Sequence, residues 1–274
     1  MLALLLALPP AWGEALFYQP QSRDGRLSAA QWQGLWQATR QAGVDSLIVQ
    51  WSQHGDEDFG GADGWLRASL GQAAQAGLGL VLGLQHDPQY FARAADAEGL
   101  PFYWQRLFAG YRQQQVALAA WQLPVAGWYL PAELDDRSLG SPALRAAFAT
   151  QLRSFRQGQT LPLHLSAFSA GRLSPAAYAD WLAGLQGPGI QLWWQDGAGT
   201  AALPADARAR YRAALPCSVG LIHEASRQTS AAAQPFRADP PQPQADSGSP
   251  PPAPLPPRPR PPPGVAQHPP PVPR

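Results

Sequence analysis

The sequence predicts an α/β protein of the (β/α)8 barrel type, and three observations carry this prediction. Seven apolar runs of strand length lie between residues 15 and 224, separated by segments of helical periodicity. Most of the runs are continuously apolar, which is typical of parallel strands covered on both faces. No GxGxxG or P-loop motif follows any run, so an open doubly wound sheet that binds nucleotides is the less favoured alternative.

The predicted strands, in chain order, are ALFYQP (15–20), SLIVQW (46–51), GLVLGLQ (79–85), VAGWYLP (125–131), LPLHLSAF (161–168), IQLWWQ (190–195) and SVGLIHE (218–224). Capping residues and terminal glycines predict the helices between them. Ser28 and Gln31 form a capping box for the first helix, which Gly43 ends. The later helices are predicted to begin near Asp63, Pro101, Ser141, Ser174 and Pro204. No eighth apolar run follows, so the barrel lacks a clear eighth strand.

The two ends of the chain differ in composition from the barrel region at 15–238. Residues 1–14 contain an apolar run of signal-peptide length, too short for a membrane span, which predicts an export signal. Residues 239–274 are rich in proline and predict a disordered tail, for which a frameshifted coding end is an alternative origin. We therefore expect a periplasmic or secreted protein with no stable membrane span after signal cleavage.

Composition narrows the classes of partner and cofactor. A net charge of +1 argues against a nucleic-acid partner, which would require a basic face. No motif indicates a cofactor, and a monomer is expected. His54, His86 and Asp87 could be interpreted as ligands of a metal-dependent hydrolase, but their spacing matches no metal motif, so no metal is predicted. The single cysteine, Cys217, is predicted to be a small buried side chain.

The carboxyl ends of the predicted strands are polar and aromatic, and in a barrel this end carries the active site. Amide and imidazole groups among aromatic rings suit the hydroxyl groups and C–H faces of a carbohydrate. The residues predicted to bind such a substrate are Tyr18, Gln19, Gln50, Trp51, His54, Gln85, His86, Tyr129, Trp194, Gln195 and Asp196.

Two glutamates stand out at these strand ends. Glu133 follows the fourth strand in GWYLPAELDD and Glu224 closes the seventh. Since strands four and seven of a barrel face each other, the two carboxyl groups are expected in one cleft, as glycoside hydrolysis requires. Glu133 could instead be a salt-bridge partner at the rim, and Glu224 could pair with Arg227.

Several other polar residues are expected to have structural roles only. Asp135 and Asp136 are expected to cap the turn or helix that follows Glu133. His164 is interpreted as a core histidine, and Asp24 as a solvated loop charge.

The strand ends also resemble known families. The placement of Glu133 and Glu224 is similar to retaining glycosidases on (β/α)8 barrels, a resemblance that implies Glu133 as acid/base and Glu224 as nucleophile. More closely, FYQPQ, AGVDSLIVQW, GWYLPAELDD, LSAF, WWQDGAG and HEASRQ resemble the domain of unknown function 4434 family, a glycosidase-like barrel, over about residues 15–237. Together with the predicted export signal and the two glutamates, the resemblance leads us to expect an exported glycoside hydrolase acting on a polysaccharide. The alternative is a barrel that binds carbohydrate without catalysis during polysaccharide export or assembly.

Overall fold

The computed structural model describes residues 14–200, 203–224, 227–228 and 238–239. Within these residues a curled parallel sheet runs through seven strands whose order in the sheet equals their order in the chain. They are β1 (Glu14–Tyr18), β2 (Val44–Val49), β3 (Gly79–Gly83), β4 (Val125–Tyr129), β5 (Leu163–Phe168), β6 (Ile190–Gln195) and β7 (Gly220–Ile222). The predicted α/β barrel class and all seven predicted strands are confirmed.

Helices connect the strands on the outside of the sheet. They are α1 (Ala29–Gln41), α2 (Trp65–Gln75), α3 (Tyr90–Ala94), α4 (Leu100–Leu118), α5 (Pro142–Arg156), α6 (Pro175–Leu185) and α7 (Ala205–Ala214). The capping box of Ser28 and Gln31 is present. Asp63 does not open a helix as predicted; it ends a short 3-10 helix, and Gly64 is the N-cap of α2.

Apolar side chains pack in two layers because successive residues of a strand point to opposite faces. An inner cluster combines Phe17, Ile48, Val81, Tyr129, Trp193 and Ile222, one side chain from each of six strands. The Phe17 ring lies 5.4 Å from that of Trp193 and 6.0 Å from that of Tyr129, between centroids. Strands distant in the sheet order thus share one interior, which makes the sheet an incomplete barrel.

Within the described residues, the barrel has no strand between its first and last strands. Within the described residues, β1 pairs with β2 alone and β7 with β6 alone, so the predicted lack of an eighth strand holds for this part of the chain. Arg227–Gln228 and Ala238–Asp239 pair with each other in a separate small sheet. Residues 1–13 of the predicted signal and residues 240–274 of the predicted tail lie outside the described residues. Among the described helices, none is long and apolar enough to cross a membrane.

Two interpretations of single residues are wrong. Asp24 is not a solvated charge: it is buried, and its carboxylate accepts hydrogen bonds from the Tyr18 hydroxyl group (2.9 Å) and the Gln21 amide (3.0 Å). Cys217 is exposed, because it lies in the turn between α7 and β7 rather than in the strand.

Candidate active site

Glu133 lies in an interruption of the fourth strand. After β4 ends at Tyr129, the whole segment 130–136 remains buried. The segment resumes strand pairing at Leu134–Asp135, which lies parallel to Ala167–Phe168 at the end of β5. Pro131 cannot donate to a strand ladder, so the break in pairing between Tyr129 and Leu134 is expected at this position. Glu133 is thereby delivered at the carboxyl end of the barrel.

Two side chains that follow β3 hold the backbone of this segment. The Tyr90 hydroxyl group donates to the carbonyl of Glu133 at 2.9 Å. The His86 ring is hydrogen bonded to the backbone of Pro131, which has only a carbonyl to offer. Tyr90 was not predicted as a site residue, because nothing in the sequence of α3 indicates contact with a segment 43 positions later.

The carboxyl group of Glu133 is poised to carry a proton at neutral pH. Its side chain is only 7% exposed, and its Oε2 atom has no hydrogen-bond partner among the described residues. Burial disfavours the charged form and raises the pKa of Glu133 to about 8, with further contributions from the charges of Asp135 and Glu224. No ion pair involves Glu133 within the described residues, so the rim salt-bridge interpretation has no support.

The two aspartates after Glu133 both have structural roles, but only Asp135 caps the turn that follows, as predicted; Asp136 binds a different loop. Asp135 Oδ1 accepts hydrogen bonds from the amides of Arg137 (2.8 Å) and Ser138 (2.9 Å), which caps the turn. Asp136 accepts from the amides of three residues in the loop after β5, namely Ala170, Arg172 and Leu173, at 2.5–2.7 Å. The loops after β4 and β5 are thus fastened together beside Glu133.

Glu224 follows β7 and is held by backbone amides. Its Oε2 atom accepts from the amide of Gly199 and, at 3.2 Å, from that of Thr200. Burial raises the pKa of Glu224, and these amide bonds oppose the shift because they stabilise the carboxylate. The side chain of Arg227, its predicted alternative partner, lies outside the described residues.

Some of the predicted substrate-binding residues come together at the rim. Gln19 and Gln50 extend the inward rows of β1 and β2, and the Gln19 amide donates to the Gln50 oxygen at 2.6 Å. Tyr129 points into the barrel, and its hydroxyl group lies 2.7 Å from that of Ser166. Gln195, at the end of β6, shares the inward face with Trp193.

Trp51, His54 and His86 form an aromatic cluster above β2 and β3. Their ring centroids are 5.0–5.2 Å apart, and the two imidazoles are stacked. Burial lowers the pKa of His86 to about 4 and lowers that of His54, so both rings are neutral at pH 7. Gln85 supports the cluster from below by donating to the Gly55 carbonyl at 3.1 Å.

Three predicted binding residues have their side chains engaged within the protein. Tyr18 packs against Trp32 and Trp36 of α1, and Trp194 is buried in the layer between strands and helices. Asp196 has both oxygens hydrogen bonded to neighbouring protein groups. The inward-facing tryptophan of β6 is Trp193, whose Nε1 atom donates to His164 at 3.0 Å, as befits a core histidine. Because successive side chains of β6 alternate between the two faces of the sheet, Trp193 and Trp194 cannot both face the interior, and this rule could have directed the prediction to Trp193.

The described residues give no support to the interpretation of His54, His86 and Asp87 as metal ligands. Among the described residues, no group of three or more His, Cys, Asp or Glu side chains is placed to hold a metal ion. Asp87, one of the proposed ligands, accepts hydrogen bonds from the Gln89 amide, Arg93 and the Tyr103 hydroxyl group instead.

Comparison with known proteins relates the sequence of the chain to one family. The model of the domain of unknown function DUF4434 matches residues 14–245. Among curated proteins, the chain is 34% identical over 238 residues to the uncharacterized protein YbcH of Escherichia coli K12, covering 82% of this chain and 80% of that protein.

Solved structures show more distant likenesses. A proposed alpha-L-fucosidase from Bacteroides thetaiotaomicron has a TM-score of 0.46 at 14% identity, covering 88% of this chain and 82% of its own. A xylose isomerase domain protein from Planctomyces limnophilus has a TM-score of 0.41 at 12% identity, covering 78% and 74%.

Proposed function

Because the chain belongs to the DUF4434 family, whose name assigns no reaction, we propose from the chemistry of the site that it is a glycoside hydrolase acting on a polysaccharide with retention of configuration. One observation carries the proposal: a buried Glu133 whose pKa is raised to about 8 and an amide-bound Glu224 follow β4 and β7 at the same end of the barrel. Glycosidases require such a division of roles between two carboxyl groups. We further propose that the protein is exported, as its N-terminal sequence predicts.

In the first step, Glu133 donates its proton to the glycosidic oxygen while the carboxylate of Glu224 attacks the anomeric carbon. The leaving sugar departs as an alcohol, and a covalent ester joins the remaining glycosyl group to Glu224. In the second step, Glu133, now ionised, takes a proton from water, which attacks the anomeric carbon and releases Glu224. The cycle returns both carboxyl groups to their starting states. Gln19, Gln50 and the cluster of Trp51, His54 and His86 would contact sugar hydroxyl groups and ring faces.

The roles can be separated with alanine variants on a panel of aryl glycosides with good leaving groups. Glu224→Ala should lose turnover, and added azide should restore it by attacking the anomeric carbon directly, with an inverted glycosyl azide as product. In Glu133→Ala, azide should replace water in the second step and yield the retained anomer. NMR of the products distinguishes the two. Inverted products from both variants would contradict retention.

The pH profile tests the acid role independently. Glu133 is active as an acid only while protonated, so kcat/KM of the wild type should fall as pH rises through about 8. A substrate whose leaving group needs no protonation should lose this alkaline limb. An alkaline limb that is equal for both substrates would assign it to another group.

A barrel that binds carbohydrate without catalysis remains the second candidate, favoured by the neutral aromatic cluster at the rim. Glycan-array binding that survives in Glu133→Gln and Glu224→Gln, without release of reducing ends by the wild type, would support it over hydrolysis.

A further inference from the structure

The loop from Asp196 to Thr200 wraps around the end of β7. Its first residue, Asp196, uses both carboxylate oxygens within the protein. Oδ1 accepts from the Ala198 amide at 3.0 Å and lies 3.4 Å from the amide of Glu224, while Oδ2 lies 3.2 Å from Nδ1 of His223. One side chain therefore joins the loop after β6 to the end of β7.

The same loop also contacts the side chain of Glu224. The backbone turns at Gly197, whose φ of +63° is favourable for glycine. Beyond this turn, the amides of Gly199 and Thr200 both point at Oε2 of Glu224. Asp196 thus binds the backbone of Glu224, and the turn that Asp196 caps binds the carboxylate of Glu224.

We propose that Asp196 is a positioning residue, not a substrate ligand: it folds residues 196–200 into the turn whose amides orient the carboxylate of Glu224. Its catalytic consequence rests on the glycosidase function proposed above. The positioning itself does not, and it can be measured without substrate.

Two effects of Asp196 on Glu224 have opposite signs, so they can be separated by substitution. The amides that the turn presents favour the ionised form of Glu224, whereas the negative charge of Asp196 disfavours it. Arg208 also favours ionisation of Glu224, and His223 approaches the far oxygen of Asp196. Glu133 is the other carboxyl group at this end of the barrel, and burial raises its pKa to about 8.

Asp196→Asn retains an oxygen for the Ala198 amide but removes the charge, so the pKa of Glu224 should fall. Asp196→Ala removes the charge and the cap together. The amides of Gly199 and Thr200 should then leave Glu224, and its pKa should rise above that of the wild type. Only positioning through the turn predicts that the pKa of Glu224 is lowest in Asp196→Asn, intermediate in the wild type and highest in Asp196→Ala.

The experiment is a carboxyl ¹³C NMR titration of protein labelled at glutamate. The chain contains only Glu14, Glu57, Glu98, Glu133 and Glu224, so the Glu224 signal can be assigned by its loss in Glu224→Gln. Asp206→Asn, which removes a charge from an exposed ion pair on α7, is the control and should leave the titration unchanged.

Equal downward shifts in Asp196→Asn and Asp196→Ala would overturn the proposal, because Asp196 would then act as a charge alone. Unchanged titration in both would overturn it as well. If Asp196→Ala does not fold, Asp196→Leu replaces it, because leucine has nearly the shape of asparagine but no oxygen for the Ala198 amide. The pKa of Glu224 should then rise above that of the wild type, and a fall equal to that in Asp196→Asn would overturn the proposal. A glycosidase assay adds a separate readout, in which Asp196→Ala should lower kcat by a larger factor than it changes KM. Loss of the NMR effect refutes positioning, whereas lack of any hydrolysis refutes only the function.

Discussion

At the scale of single residues, the unusual group is a glutamate whose ionisation the fold opposes. Glu133 is buried without an ion pair among the described residues, and its raised pKa means that the native state binds a proton more tightly than the unfolded chain. Its contribution to stability is complete below the unfolded pKa of about 4.5 and is lost as pH rises to about 8. A carboxyl group that lowers the stability of the fold when it ionises is typical of a catalytic site, where burial raises its pKa.

Glu133→Gln should therefore become more stable relative to the wild type as pH rises. Glutamine has nearly the same shape and does not ionise, so the difference in unfolding free energy should grow between pH 5 and pH 9, on the order of 4 kcal/mol at most. Urea unfolding at both pH values measures it. Glu98→Gln, on an exposed turn, is the control and should run parallel to the wild type. A difference that stays constant with pH would show that Glu133 ionises normally.

Two other residues show what local sequence cannot predict. Asp24 resembles any charged loop residue, but the hydroxyl group of Tyr18 and the start of a 3-10 helix hold it in the interior. Tyr90 reaches the carbonyl of Glu133 across 43 positions of the chain. Both contacts depend on how loops fold back over the strand ends, and hydrophobic periodicity contains no information about that.

At the scale of elements, continuous apolar runs and capping residues were sufficient to predict the strands and most helices. The direction of side chains at strand ends was harder. In β6, adjacent tryptophans differ only by alternation: Trp193 enters the barrel and Trp194 packs toward the helices. The short α3 and the paired segments at Gln53–His54 and Gln85–His86 are too brief for a periodic pattern, so they were missed although they position the aromatic cluster.

The barrel interior predicts a strict requirement for glycine in β7. A Cβ atom on Gly220 would lie 2.3 Å from Cε3 of the Trp193 ring, so Gly220→Ala should displace the indole ring and destabilise the protein by about 1–3 kcal/mol. Gly110, inside α4, has no atom within 4 Å of such a Cβ atom, and Gly110→Ala should stabilise by up to about 1 kcal/mol. Chemical denaturation compares the two. Equal effects of the same sign would mean that the close approach to Trp193 does not constrain β7.

At the scale of the whole molecule, the central question is how the barrel closes between β1 and β7. Side chains in the barrel interior pack across the gap between β1 and β7, since the ring of Phe17 in β1 contacts that of Trp193 in β6. Backbone hydrogen bonds do not cross this gap within the described residues, where β1 pairs only with β2 and β7 pairs only with β6. Side-chain burial and backbone pairing are therefore separable in these strands, and only the second requires an eighth strand.

Hydrogen exchange can measure the backbone pairing amide by amide. In a parallel sheet, the N–H and C=O groups of one residue point to the same neighbouring strand. The carbonyl of Tyr18 accepts from the amide of Gln50, so Tyr18 faces β2 and the amide of Phe17 faces the opening. The carbonyl of Ile222 accepts from Asp196, so the amide of Leu221 likewise faces away from β6.

The amides of Phe17 and Leu221 should therefore exchange fast, although the Phe17 ring is buried, while those of Tyr18 and Ile222 should be protected. Ile48 and Val81 lie in strands paired on both sides and provide the reference for full protection. An unpaired edge also favours association between molecules, so the measurement should be repeated over a range of protein concentrations. Fast exchange that slows with concentration would identify pairing between copies of the chain. Slow exchange of Phe17 and Leu221 in dilute monomer would mean that a segment outside the described residues supplies the eighth strand, and that the barrel is closed.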